Sequence, residues 1–177
     1  ILESVPPATP AGPLTQLAFD DHPRVRMQAM LSIGELPADQ VIPLFDAVLE
    51  RNAEDPAIRK AVMSGLAGRE LDMLLGPGDP RNDHWLGRPG VAQRQVLREL
   101  ADSVLAARRP DAVTGLVTFA SDVRSSAPAT SLLLLDRVAE RTRPDSRKPK
   151  LIMLLGSPAG WNDVLTAGPD DCDPRII

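Results

Sequence analysis

The sequence predicts an all-α chain, a solenoid of stacked antiparallel helix pairs. Three observations predict it. Apolar residues recur at helical spacing, and no segment alternates as a strand would. Proline falls between the apolar segments rather than throughout them, and its clusters with glycine act as breaks. The chain also matches itself when displaced by 33 residues, the period of a two-helix repeat.

The elements follow in order. Pro6, Pro7, Pro10 and Pro13 mark an extended lead-in over residues 1–13. Leu14 to Phe19 predicts a short first helix. A second runs from Pro23 to about Leu36, with proline in the first turn, where its missing N–H costs nothing. Asp39 is placed to cap a third helix ending near Asn52, and Pro43 to bend it. Pro56 opens a fourth, closed near Ala67 by Gly68. Arg69 to Leu75 predicts a helical turn. The segment Gly76-Pro77-Gly78-Asp79-Pro80 then starts a loop that runs to Pro89-Gly90. Val91 to Ala107 is the longest helix. Its rows Val96, Leu100, Val104 and Leu97, Ala101, Leu105 predict a broad buried face. Pro110 to Ala120 and Ser131 to about Arg141 complete the set, so residues 14–143 are expected as helical repeats. Residues 144–177 are expected to be partly irregular, with Leu151 to Leu155 ambiguous between helix and strand.

The displacement by 33 residues aligns Asp21 with Glu54, Pro23 with Pro56, Val25 with Ile58 and Arg26 with Arg59. It continues through Ala29 with Val62, Met30 with Met63 and Ile33 with Leu66. The unit reads as helix, acidic turn, proline, and a second helix with arginine in its first turn. An acidic residue before the proline suits a helix N-terminus. One hairpin cannot bury both sides of its second helix, but a stack of hairpins can. The repeated arginine is expected to reach the acidic turn of a neighbouring repeat, at about 1 kcal/mol or less per exposed pair.

Composition excludes several classes. Formal net charge is −4 and aromatics make up 3% with no tyrosine, which disfavours a nucleic-acid-coating or base-stacking surface. One cysteine excludes an internal disulfide, a thiolate zinc finger and a CxxCH haem attachment within this chain. No apolar run approaches the about 20 residues of a membrane span. The chain opens on Ile1 rather than Met, which reads as a processed product or a segment of a larger protein.

The pattern D-x-P-x-V-R-x-x-A resembles the HEAT repeat in its compact bacterial form. Tetratricopeptide and ankyrin repeats share the period, but the aromatic positions of the first and the T-P-L-H turn of the second are missing. A closer resemblance spans about Leu14 to Arg143. The segments 17–26, 61–70 and 100–109, with Asp111-Ala112-Val113, are similar to the HEAT region of large secreted bacterial proteins of the membrane-bound dehydrogenase type. Those pair a sugar-dehydrogenase-like β-propeller with HEAT repeats and a c-type haem domain. Their chemistry sits in the propeller and a CxxCH motif, neither present here, so no functional residue carries over. The resemblance implies a periplasmic or secreted location, and a spacer role beside a haem and active site outside this chain.

Candidate sites are few. Asp79, Asn82, Asp83, His84 and Trp85 share a loop but match no metal-ligand spacing, and Trp85 is expected to tuck beneath the loop. His22 reads as a capping or surface residue rather than a general base. Cys172 lies among Asp170, Asp171 and Asp173, whose charges disfavour a thiolate. Gly156 to Gly160 lacks the Lys-Ser/Thr of a phosphate loop. Arg137, Arg141, Arg143, Arg147, Lys148 and Lys150 form a basic run, diluted by Glu140 and Asp145, that can dock an acidic partner or cap a helix end. The expectation is therefore a scaffold that binds protein, without catalytic residue, cofactor or metal.

Overall fold

Eight helices and no strand make up the regular structure of the described residues. The structure, a computed structural model, describes residues 11–76 and 85–142 together with Leu154 and Gly156. The protein is all-α, and it divides into two compact units after Leu66. Residues 77–84, residues 1–10 of the expected lead-in and most of residues 144–177 lie outside the described residues, while residues 11–13, expected as extended, are helical.

The first unit holds α1 (Ala11–Ala18), α2 (Pro23–Gly34), α3 (Ala38–Asn52) and α4 (Pro56–Leu66). Helix α1 starts three residues before the expected Leu14, with Pro13 inside its first turn, where no intrahelical N–H is required. The α2 cap is His22, whose Nδ1 accepts from the Arg24 N–H at 3.3 Å. At the equivalent place Asp55 Oδ1 accepts from the Ala57 N–H at 2.8 Å. In both repeats the cap therefore lies one residue beyond Asp21 and Glu54, because the residue directly before a helix-initiating proline is the half-in position. Helix α3 begins at Ala38 after Pro37, with no side-chain cap. Asp39 stands inside the first turn rather than before it, and there its charge still complements the helix dipole.

Arg26 and Arg59 do the same work in each repeat. The Arg26 Nη1 donates to the carbonyls of Asp20 and Asp21 at 2.9 and 3.0 Å. The Arg59 Nη1 donates to those of Ala53 and Glu54 at 2.7 and 3.3 Å. Each guanidinium thus closes the turn of its own hairpin. Arg26 also reaches forward, with Nη2 3.9 Å from Asp55 Oδ2 on the next repeat.

Helices α2 and α4 run side by side in one direction, since Arg26 meets Asp55 and Gly34 meets Gly65. Their close approach depends on glycine. A Cβ on Gly34 would stand 2.7 Å from the Gly65 Cα, and a Cβ on Gly65 would stand 2.7 Å from the Phe45 ring. The core beneath is Met30, Ile33, Val41, Phe45, Leu49, Val62 and Leu66, all without exposed surface. The Arg51 guanidinium lies 4.9 Å from the centroid of the Phe19 ring, which ties the first turn to α3.

The second unit holds α5 (Glu70–Leu75), α6 (Val91–Ala107), α7 (Pro110–Asp122) and α8 (Pro128–Thr142). It follows Gly68, whose φ of +86° explains glycine at that stop. Both expected rows of α6 are buried. The helix ends at Arg108 with φ +53°, a left-handed cap made without glycine. The buried Glu70 accepts from the Ser103 hydroxyl at 2.8 Å, joining α5 to α6. Trp85 and Leu86 are buried at the end of the loop, and the Thr130 hydroxyl donates to the Leu86 carbonyl. That bond accompanies an α8 that opens at Pro128, three residues before the expected Ser131.

Candidate interaction surface

The polar chemistry of the second unit gathers along the seam of α6 and α8. These helices run side by side in the same direction: the 94–98 stretch of α6 lies by residues 129–136 of α8, and Asp102 by residues 137–141. On α6, Arg94, Arg98 and Asp102 recur every four residues, so one stripe carries all three to the seam.

Asp102 takes two arginines. Arg137 Nη2 donates to both of its oxygens, at 2.8 and 2.6 Å, and Arg141 Nε donates to Oδ1 at 3.1 Å. Arg137 also pairs with Glu140, one turn along its own helix. Its Nε is buried with no partner among the described residues. Two of the six cations of the basic run are therefore engaged within the fold, and Arg137 is three-quarters buried at its side chain. Arg143, Arg147, Lys148 and Lys150 lie outside the described residues.

Hydrogen bonding to Asp102 raises the Arg137 pKa, already high; burial opposes this in part, and the charges of Asp102 and Glu140 add to the rise. A cation whose folded pKa is raised contributes fully below its unfolded value and loses the contribution only as pH rises through the folded one. The Arg137 tie therefore holds across neutral pH. Asp102→Asn is expected to destabilise the second unit by about 1–2 kcal/mol, because it leaves a largely buried guanidinium short of its counter-charge. A urea titration checks this, and the difference from wild type should shrink as salt rises.

Compared with protein families, curated proteins and solved structures, the chain matches none.

N-terminal to the Asp102 tie the seam opens into a groove of about 330 Å³ lined by Arg94, Arg98, Ala129, Leu132, Leu133 and Asp136. Sequence reasoning missed this groove and Asp102, having assigned nothing to the polar side of α6. The signal that could have found them is the four-residue spacing of Arg94, Arg98 and Asp102. The repeat residues stand elsewhere, at the α2 and α4 N-termini, where Asp21, Pro23, Arg26, Glu54, Pro56 and Arg59 build the turns. Cys172 and the Asp79 to His84 cluster lie outside the described residues. Among the described residues, no group of three or more His, Cys, Asp or Glu is placed to hold a metal ion, and no helix is long and apolar enough to cross a membrane.

Proposed function

We propose that the chain is a non-catalytic, HEAT-like scaffold that presents helical surfaces to protein partners. The observation that carries this reading is the repeated brick of the first unit. Two hairpins use the same capped proline turn and the same arginine clamp on the turn carbonyls, and their second helices lie against one another through Gly34 and Gly65. Bricks that stack by their second helices build extended surfaces, and extended surfaces suit protein partners.

The test compares full-length protein with a version lacking this chain, by affinity purification and crosslinking. Loss of at least one protein partner is expected, with crosslinks from that partner to exposed helix faces. Retention of every partner, together with loss of a chemical activity, would overturn the proposal.

A further inference from the structure

We infer that the α6/α8 groove docks an acidic peptide segment bearing an apolar side chain. The inference rests on the scaffold reading and refines it. Arg94 and Arg98 stand one helical turn apart on one wall. The Arg98 guanidinium has no hydrogen bond or ion pair among the described residues. Arg94 gives one long bond, at 3.4 Å, to the Pro89 carbonyl. Both guanidiniums therefore keep donors for a ligand, at a separation that suits two carboxylates about one turn apart.

The other wall is apolar. Ala129, Leu132 and Leu133 line it, and Leu132 is 45% exposed. A purely anionic ligand leaves that leucine wet, whereas a peptide with an apolar residue covers it. Asp136 lines the same groove and repels a second acidic stretch, so the carboxylates belong at the Arg94/Arg98 wall. One turn beyond Arg98 on α6, Asp102 binds Arg137 and Arg141 of α8 and pins the two walls in register. The groove is thus formed before the ligand arrives, which lowers the cost of binding. A nucleic-acid backbone is the poorer fit: two arginines beside an aspartate, on a chain of net charge −4, make no broad positive field.

The test uses the full chain and a fluorescent peptide of Leu-Glu-Glu-Leu repeats, read by anisotropy and by methyl shifts of Leu132 and Leu133. Saturable binding is expected, weakening as salt rises. Arg94→Glu and Arg98→Glu should each weaken it at least about fivefold, and a Gln-for-Glu peptide should bind similarly poorly. Asp136→Asn should tighten binding about two- to fivefold, a gain that misfolding cannot imitate. Absence of saturable binding, indifference to the arginine reversals, equal binding of the Gln peptide, or stronger binding of a single-stranded oligonucleotide would each overturn the inference. A partner held through another face and insensitive to Arg94→Glu and Arg98→Glu sinks the groove but leaves the scaffold reading intact. That reading falls only by the deletion experiment.

Discussion

Phe45→Ala is expected to destabilise the first unit by about 3–5 kcal/mol, read as a shift of its urea midpoint. The ring has no exposed surface and lies against the helix that carries Gly65. Truncation removes the buried area and leaves a cavity, because the backbones of α2 and α4, already in glycine contact, cannot close further. The same geometry predicts coupling. In a Phe45→Leu background, Gly65→Ala should cost less than in the wild type, since the ring that its Cβ would strike is gone. Additive effects of the two changes would disprove the contact.

Gly34→Ala is expected to destabilise by about 2 kcal/mol, opposite in sign to the usual result of removing glycine from a helix. Alanine ordinarily gains about 0.5–1 kcal/mol there, from a smaller loss of backbone entropy. Here its Cβ would lie 2.7 Å from a backbone atom of the facing helix, which cannot swing aside as a side chain can. The helices must separate, and the core beneath loosens. Gly12→Ala is the control, because a Cβ there meets nothing within 4 Å. A stabilising Gly34→Ala would mean that the two helices do not touch as described.

Helix positions were largely legible from the chain. Proline placed the starts of α2, α4 and α7 at Pro23, Pro56 and Pro110, and the two apolar rows of α6 foretold its buried face. The start of α8 moved where a long-range contact accompanies it. Pro128 opens α8 next to Thr130, which bonds the Leu86 carbonyl 44 residues earlier. The caps moved by one residue, because local geometry rather than charge selects the half-in position: His22 serves where an acidic residue was expected. The stretch expected as continuous repeats, 14–143, divides after Leu66. The candidate surface was least legible. Arg137 and Arg141 read as part of a basic run for an acidic partner or a helix end, but α6 sets Asp102 against them.

The sequence by itself determined that this chain is helical, where α2, α4, α6 and α7 begin, and that Arg26 and Arg59 occupy equivalent places. Those properties depend on proline φ, apolar spacing and a short-range repeat, all local in the chain. Only the tertiary structure decided which cations are engaged, which glycines are indispensable and where a groove remains. Each of those depends on the distance between residues far apart in sequence, as with Gly34 and Gly65 or Asp102 and Arg137, and helical periodicity carries no record of that distance.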